Sequence, residues 1–318
     1  MRTESDYVAY HAVDKLPGRS VLVLAPHADD EVFGCGGTLV KHRRAGDSVS
    51  VVIVTDGSFG QPEDVRAAHA AMRAGESLAA SRLIGYSAPD SLHYRDRELA
   101  GCDGLVLHLL KIFNESDFDL ICVPSIDEMH PDHHALVLAA LRAAALGVKD
   151  VSVAMYEVGR PLSRVTHLVD VSDVYEVKLD AMRCFPSQLS HQSYDQHIVA
   201  LNTFRTYTLS KEVLYAEAFW VVNQGDIPDL IRAASMQPQR PTDGASSGMA
   251  ERALPADVLN CAELLQQQIQ HNTQLDEQVA SLNAEVDRLY NSNTWRLTAP
   301  LRALRRVVTS SLQRLSGR

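Results

Sequence analysis

Two short segments of the sequence concentrate histidine and carboxylate side chains. Residues 26–31 (PHADDE) hold one imidazole and three carboxylates, and residues 125–134 (SIDEMHPDHH) hold three histidines in their last five positions. Neighbouring carboxylates repel one another when they are buried, and a divalent cation removes that repulsion. Imidazole and carboxylate ligands are typical of zinc or iron, and three protein ligands plus water are the pattern of a catalytic zinc site. For the first segment, a solvated acidic turn that caps the next helix is the alternative.

The elements that must position these segments alternate between strand and helix. Apolar, β-branched runs predict strands, and the two segments directly follow the first and the third of them. The predicted strands are Ser20–Ala25, Ser48–Thr55, Asp119–Pro124, Val151–Tyr156 and His167–Val171. The predicted helices are Gly37–Ala45, Glu63–Leu83, His134–Leu146, Val174–Cys184 and Tyr194–Tyr207. This alternation predicts an α/β, Rossmann-like fold, in which helices cover both faces of a mostly parallel sheet and ligands bind at the carboxyl ends of the strands.

The composition bounds the class of protein. The 318 residues carry a net charge of −10 and are 46% hydrophobic, which suits a globular protein and argues against a whole-protein nucleic-acid binder. The five cysteines are scattered and form no CxxC pair, so we exclude a cysteine-rich zinc module and expect a reducing compartment. The sequence shows neither a signal-peptide pattern nor a run of about 18 apolar residues. We therefore expect a cytoplasmic protein.

Composition also divides the chain into five parts. Residues 1–17 form an N-terminal extension, residues 18–235 a globular domain, and residues 236–253 a flexible linker rich in Pro, Gly, Ser and Gln. Residues 254–290 carry an unbroken heptad pattern, whose β-branched and leucine positions favour a two-stranded parallel coiled-coil helix at the C-terminal side of the domain. A single amphipathic helix folded back on the domain is the alternative. Residues 291–318 form a basic tail.

The basic tail contrasts with the acidic remainder of the chain. From Trp295 onward it carries six arginines and no acidic residue. Leucines at helical spacing with arginines between them predict a basic amphipathic helix that contacts a membrane surface, with a disordered tail as the alternative. Together, the coil and the tail predict a homo-oligomer with peripheral contact to the inner face of the membrane.

The two histidine-rich segments resemble the (P/A)HxDD and HPDH motifs of the PIG-L/LmbE-like family of zinc-dependent de-N-acetylases. The resemblance extends over residues 18–223 and is most specific at these two motifs. Ala28 departs from the family pattern, which usually has proline at this spacer position. Weaker matches are Thr55-Asp56-Gly57, Arg73 with Glu76 and Gly85, Asp170, Lys178, Ser187-Gln188 and residues 215–219 (YAEAF).

The resemblance implies a role for each side chain that matches the two motifs. His27, Asp30 and His133 would hold Zn²⁺. Asp29 would act as the general base toward the attacking water and would then return the proton to the leaving amine. His130, as an imidazolium, would stabilise the oxyanion of the tetrahedral intermediate.

Other polar residues have weaker assignments. Arg73 and Asp96 can hydrogen-bond a sugar hydroxyl of the substrate, and a solvated surface charge is the alternative for each. Glu31 would orient the loop or cap the following helix, and His134 would lie either behind the metal ligands or toward solvent. Cys35 has no paired base, which argues against a catalytic thiol.

These observations predict a zinc-dependent hydrolase that removes the N-acetyl group from an N-acetylglucosamine-type amino sugar. The tail string SNTWRLTAPLR also resembles an end motif of bacterial glycosyltransferases and related enzymes of surface-polysaccharide assembly. That second resemblance implies a lipid- or nucleotide-linked substrate in polysaccharide or glycolipid biosynthesis. The alternatives are an amidase of a small thiol-sugar conjugate, of the mycothiol or bacillithiol type, and a non-catalytic coiled-coil scaffold.

Overall fold

The structure of this chain is a computed structural model that describes residues 10–102, 104–147 and 149–235. Residues 1–9 and 236–318 lie outside the described residues. The predicted linker, coiled coil and basic tail all fall within that second range.

Eight described strands form one sheet. They are β1 (His11–Val13), β2 (Ser20–Ala25), β3 (Ser48–Thr55), β4 (Asp90–Tyr94), β5 (Leu120–Pro124), β6 (Ser152–Tyr156), β7 (His167–Asp170) and β8 (Ala216–Asn223). Their order across the sheet is β1-β7-β8-β6-β5-β2-β3-β4. Strand β8 is antiparallel to β6 and β7, and the other described pairs are parallel. The prediction of an α/β fold with a mostly parallel sheet is confirmed.

Helices connect and cover these strands. The described α-helices are α1 (Asp30–Arg44), α2 (Arg66–Ile84), α3 (Leu105–Glu115), α4 (Pro131–Leu146), α5 (Tyr175–Met182), α6 (Pro186–Leu189), α7 (Tyr194–Phe204) and α8 (Ile227–Ser235). Short 3-10 turns lie at Leu99–Gly101, Ser172–Val174 and Gln224–Asp226. None of the helices in the described part of the chain is both long and apolar enough to span a bilayer.

Within the described residues, the predicted strands and helices all occur, but the sheet is larger than predicted. Strands β1, β4 and β8 and helices α3, α6 and α8 were not predicted. Strand β1 pairs with β7, so the sheet includes part of residues 1–17, the segment that composition assigned to an N-terminal extension. Strands β1 and β4 are short and largely exposed, so the apolar periodicity that predicts a strand is weak in both.

Glycine residues let α1 pack closely against its neighbours. A Cβ atom at Gly37 would lie 2.8 Å from the Val171 side chain, and a Cβ at Gly34 would overlap the Tyr156 ring. This close packing offsets the roughly 1 kcal/mol that each helical glycine costs. The helix predicted over Gly37–Ala45 is therefore the last part of a longer helix that begins at Asp30. Cys35 has non-helical dihedral angles (φ −136°, ψ 17°), so α1 is kinked at that residue.

A buried ion pair holds α1 just beyond its kink. Glu217 on β8 accepts hydrogen bonds from the backbone N–H groups of Gly37 at 2.8 Å and Thr38 at 2.7 Å. Lys178 on α5 donates to Glu217 at 2.6 Å and to Asn202 at 3.0 Å. Both charged side chains are fully buried. This cluster ties α1, α5, α7 and β8 together behind the loop that follows β2.

The strand order reverses between β2 and β5. Strand β2 pairs with β3 on one side and with β5 on the other, so the chain winds outward from this point in both directions. In open α/β sheets, ligands bind at the carboxyl ends of the strands at such a switch point. Both histidine-rich segments leave the sheet here, one after β2 and the other after β5.

Candidate active site

The first histidine-rich segment is a constrained loop between β2 and α1. Asp29 has a φ of 149°, which a residue other than glycine rarely adopts. The side chain of Glu31 is fully buried and accepts hydrogen bonds from the Asp29 backbone N–H, the Ser77 hydroxyl and the Tyr86 hydroxyl. Burial raises the pKa of Glu31 to about 7. Glu31 therefore orients the loop, which was one of its two predicted roles.

The second segment begins α4. His130 is the N-cap of this helix, and its Nδ1 accepts a hydrogen bond from the Asp132 backbone N–H at 3.2 Å. Pro131 occupies the first turn, where its missing N–H costs nothing. An imidazolium has no acceptor nitrogen, so this geometry assigns His130 a neutral ring that carries its proton on Nε2. That tautomer differs from the imidazolium expected from the sequence.

The three predicted metal ligands lie together. Asp30 Oδ2 is 3.2 Å from His27 Nδ1 and 3.2 Å from His133 Nε2. Burial alone would raise the pKa of Asp30, but the charge and hydrogen bond of His133, together with the contacts of His27, hold it well below its usual value. Burial alone would lower the pKa of His27, but hydrogen bonds to Asp132, Asp30 and Asp96 raise it well above its usual value.

The donor groups fit a divalent cation. Nitrogen atoms of His27, His130 and His133 lie within 4.8 Å of one another, and ligand atoms of His27, Asp96 and Asp132 meet the same limit. Two ligands of one tetrahedral zinc ion lie about 3.3 Å apart, because each sits roughly 2.0–2.1 Å from the metal. The 3.2 Å contacts of Asp30 are hydrogen-bond distances that are also close to this separation. The site therefore offers more imidazole and carboxylate donors than one ion requires.

His133 also has the surroundings of a metal ligand on its far side. Its Nδ1 is buried and has no hydrogen-bond partner within the described residues, and it points at Glu128 Oε2 at 3.8 Å. Histidine ligands commonly direct their second nitrogen at a carboxylate, which orients the ring. The other oxygen of Glu128 accepts hydrogen bonds from the backbone N–H groups of residues 158–160. Glu128 is thus held in place behind His133.

The predicted general base lies beside a buried arginine. Asp29 Oδ2 is 3.2 Å from Arg73 Nη2, which also donates to the Ala28 carbonyl at 2.6 Å. Arg73 is only 5% exposed, so it is not a solvated surface charge. Burial raises the pKa of Asp29 to about 7, against the lowering effect of the Arg73 charge. The pair joins α2 to the loop after β2.

Asp96 belongs to the same cluster. Its Oδ1 lies 3.2 Å from His27 Nε2, and its Oδ2 accepts a hydrogen bond from the Phe59 backbone N–H. Burial raises the pKa of Asp96, but the His27 contacts outweigh it and bring that pKa to about 2. Like Arg73, Asp96 lines the cavity over the cluster. His134, by contrast, is exposed to solvent.

Two acidic residues of this site were not predicted from the sequence. Asp132 is fully buried, and its carboxylate accepts hydrogen bonds from the backbone N–H groups of Arg97 and Leu99 while lying 3.6 Å from His27 Nε2. Glu128 supports His133, as described above. Both residues belong to the histidine-rich segment 125–134. Their position next to predicted ligands could therefore have identified them as site residues.

The cluster lies in a cavity of about 620 Å³. One wall comes from α6, α7 and the turn between them, which contribute Gln188, Gln192, Tyr194, His197 and Ile198. Only Ser187-Gln188 were named from the sequence in this region, so the position of His197 on the cavity wall was not predicted. Cys35 is buried and burial raises the pKa of its thiol well above the usual value, so it does not act as a nucleophile.

The fold and the cluster define an α/β protein with a His/Asp cluster that could hold a metal ion at the switch point of its sheet. Residues 22–144 match the PIG-L family model, which is described as GlcNAc-PI de-N-acetylase. The matched part of the chain is a PIG-L (LmbE-like) deacetylase family domain, and the resemblance stated from its motifs is confirmed.

Individual relatives support this domain assignment. The diacetylchitobiose deacetylase of Thermococcus kodakarensis is 27% identical over an alignment of 210 positions, and the match covers 59% of this chain and 77% of that protein. The solved N,N′-diacetylchitobiose deacetylase of Pyrococcus horikoshii, in complex with the inhibitor MPG, is 26% identical with a TM-score of 0.58. That match covers 66% of this chain and 85% of the other.

The same fold also occurs in a protein with a different reaction. GalB, the 4-carboxy-2-hydroxymuconate hydratase of Pseudomonas putida, is 21% identical with a TM-score of 0.56, over 64% of this chain and 96% of its own. The fold alone therefore does not decide the reaction, which depends on the side chains of the site.

Proposed function

We propose that this protein is a zinc-dependent hydrolase that removes the N-acetyl group from an N-acetylglucosamine-type amino sugar. The observation that carries the proposal is the contact of Asp30 Oδ2 with nitrogens of both His27 and His133, at 3.2 Å each, with Asp29 beside them on the cavity wall. The chitobiose deacetylases named above, which act on N-acetylated sugars by their names, support it.

In this proposal His27, Asp30 and His133 hold the zinc ion. A zinc ion bound there supplies Lewis-acid polarisation of the amide carbonyl. Asp96 and Asp132 then orient His27, and Glu128 orients His133, because each carboxylate faces a ring nitrogen. The surplus of carboxylates keeps the site attractive to a dication.

Asp29 acts as the general base in this proposal. Adjacent side chains diverge, so Asp30 can face the metal while Asp29 faces the cavity. Asp29 takes a proton from the attacking water and returns it to the leaving amine. The Arg73 guanidinium at 3.2 Å stabilises the charged carboxylate and fixes its position.

His130 acts as a hydrogen-bond donor to the carbonyl oxygen in this proposal. Because Nδ1 accepts from the Asp132 backbone, the proton on Nε2 is available to the cavity. A donor that is already oriented stabilises negative charge as it develops on that oxygen. This role needs no imidazolium.

The substrate in this proposal is an acetylated sugar carrying a further group. A cavity of about 620 Å³ falls within the roughly 300–1,000 Å³ of small-molecule sites. Arg73, Asp96 and Gln188 on its walls can hydrogen-bond sugar hydroxyls. We further propose a role in surface-polysaccharide or glycolipid biosynthesis on a lipid- or nucleotide-linked sugar. The cytoplasmic location, the homo-oligomer and the membrane contact are part of this proposal and rest on composition and on residues 254–318.

The test is acetate release by chelated protein to which zinc is added back. We expect release from an N-acetylglucosamine derivative that depends on the metal, and a roughly 10²- to 10⁴-fold lower kcat for Asp29→Asn. The matched control is Asp229→Asn, because Asp229 is exposed and pairs with Arg232 on α8. Equal rates for Asp29→Asn and the wild type would sink the proposal. Release only from a thiol-sugar conjugate would favour the amidase alternative, and no metal and no release would favour the scaffold.

A further inference from the structure

A second cavity adjoins the catalytic one. It has a volume of about 540 Å³ and lies between the loops that follow β3 and β4. Asp96 and Arg97 line both cavities, so the two cavities adjoin at these residues. Arg66 and Arg95 line the second cavity as well. None of these arginines has a role in the proposed deacetylation.

Hydrogen bonds hold the two loops of this cavity together. Asp56 accepts from the backbone N–H groups of Ser58 at 3.0 Å and Asp96 at 3.3 Å. Asp96 in turn accepts from the Phe59 backbone N–H at 3.3 Å. The loops after β3 and β4 are thus joined through the same aspartate that contacts His27. The position of the second cavity relative to the catalytic cluster is therefore set by the fold.

Arg97 is held at the boundary between the two cavities. Its backbone has a φ of 68°, a left-handed conformation, and its N–H donates to the buried carboxylate of Asp132. Its guanidinium lies 4.4 Å from the centroid of the Phe59 ring. Left-handed backbone at a residue other than glycine costs free energy and is found preferentially at ligand sites. The Asp132 carboxylate of the catalytic cluster therefore also positions an arginine that faces outward.

The two cavities differ in charge. The catalytic cavity is lined by several carboxylates, which repel an anion. The second cavity presents three arginines against two acidic residues, Asp96 and Glu98. Asp96 is already paired with His27, and Arg66 pairs with Glu63 at 2.8 Å. Arg95 and Arg97 are exposed at the surface of the cavity, where their guanidinium groups can meet an anionic ligand.

We propose that the second cavity binds a phosphoryl group of the substrate. The acetylated sugar then occupies the catalytic cavity, while the phosphate attached to it contacts Arg95 and Arg97, with Arg66 behind them. Guanidinium groups bind phosphate oxygens through paired, charge-assisted hydrogen bonds. The inference rests on the proposed deacetylation and adds the chemical class of the group linked to the sugar. A nucleoside diphosphate and a polyprenyl diphosphate carry the same phosphoryl chemistry.

The first experiment compares KM values for acetate release by the full-length zinc protein. The substrates are the neutral methyl glycoside of N-acetylglucosamine, N-acetylglucosamine 1-phosphate, its uridine diphosphate ester and a polyprenyl diphosphate ester in detergent. We expect the phosphorylated substrates to show a KM at least about tenfold lower than the neutral glycoside. The substrate with the lowest KM then distinguishes the nucleotide source from the lipid source.

Arginine variants test the location of the phosphoryl site. Arg95→Ala and Arg97→Ala should each raise the KM of the phosphorylated substrates about tenfold and leave kcat little changed, because the phosphate lies away from the reacting amide. The matched control is Arg82→Ala, because Arg82 is exposed on α2 and lines neither of these cavities. Equal KM values for neutral and phosphorylated substrates would overturn the proposal, as would an equal rise for both in the two variants.

A binding measurement separates this inference from the deacetylation itself. N-acetylglucosamine 1-phosphate is titrated by calorimetry into Asp29→Asn and into the triple variant that also carries Arg95→Ala and Arg97→Ala. We expect the triple variant to bind at least about tenfold more weakly. If no substrate releases acetate but this difference holds, the proposed reaction is wrong and the phosphoryl site stands. If the two variants bind equally, the phosphoryl site is wrong whatever the activity.

Discussion

Two buried groups of charged side chains meet helix α1, one at its first residues and one beyond its kink. In the second group, Lys178 faces Glu217, and backbone N–H groups and Asn202 satisfy the remaining hydrogen bonds. In the first group, carboxylates outnumber the cations. They are Asp29, Asp30, Asp96, Glu128 and Asp132, which surround Arg73 and three imidazoles.

The difference separates a structural charge cluster from a ligand site. A buried charge is costly unless it is paired and hydrogen-bonded. The Lys178–Glu217 group meets that condition with protein atoms alone. The group at the start of α1 has a surplus of carboxylates, and a bound dication would neutralise that surplus. Removing one charge or one ligand from each group should therefore have different consequences in the two groups.

The largest effect is expected at a metal ligand. His133→Ala should lower the rate of acetate release by about a thousandfold and abolish zinc binding, because metal polarisation is worth several kcal/mol. His134→Ala is the matched control, since His134 is the next residue on α4 and is exposed. Bound zinc, measured by atomic absorption after dialysis, should be retained in the control and lost in His133→Ala. Stoichiometric zinc in His133→Ala would contradict the assignment.

The second-largest effect is expected at the buried ion pair of Lys178 and Glu217. Lys178→Met leaves Glu217 buried without its cation, and the free energy of unfolding should fall by about 3–5 kcal/mol. Denaturant unfolding measures this loss. The double variant Lys178→Met/Glu217→Gln removes both charges and should recover part of it. A double variant less stable than Lys178→Met would show that the ion pair is not the source of the effect.

The smallest expected effect is a gain in stability, where the two effects above are losses. In zinc-free protein, Asp29→Asn should raise the free energy of unfolding by about 1 kcal/mol, because it removes a surplus buried charge and keeps an oxygen near Arg73. Thermal unfolding of the chelated protein measures the change. A loss of stability would mean that neighbouring cations already compensate the charge of the Asp29 carboxylate. The two groups would then not differ in surplus buried charge.

Much of the fold could be predicted because its central strands are buried on both faces. Strands β2 and β5 read as continuous apolar runs, and β3 does so along most of its length. Local periodicity is enough to identify such strands. The apolar pattern of β8 (AEAFWVVN) is weaker, because its second residue is the buried Glu217. The position of Glu217 depends on its contacts with Lys178 and α1. A buried charge can be recognised only when its partner is known.

The candidate site divides in the same way. His27, Asp30 and His133 could be proposed from two local segments, because ligands that follow adjacent parallel strands converge at one edge of the sheet. Arg73 and Asp96 were named as possible sugar contacts, but the sequence left open whether they were surface charges. Only the packing of α2 and of the loop after β4 buries them against the cluster.

The sequence by itself determined that histidine and carboxylate side chains cluster in two segments. It also placed these segments after the first and third predicted strands. Residue type and short-range spacing are written directly in the chain, and they carried the family resemblance. The tertiary structure alone decided that Asp96 and Asp132, from two distant segments, join Asp30 around His27 and that His130 caps a helix through Nδ1. It alone placed an arginine-lined cavity beside the site. These features depend on strand order and on contacts between distant segments, which local periodicity does not encode.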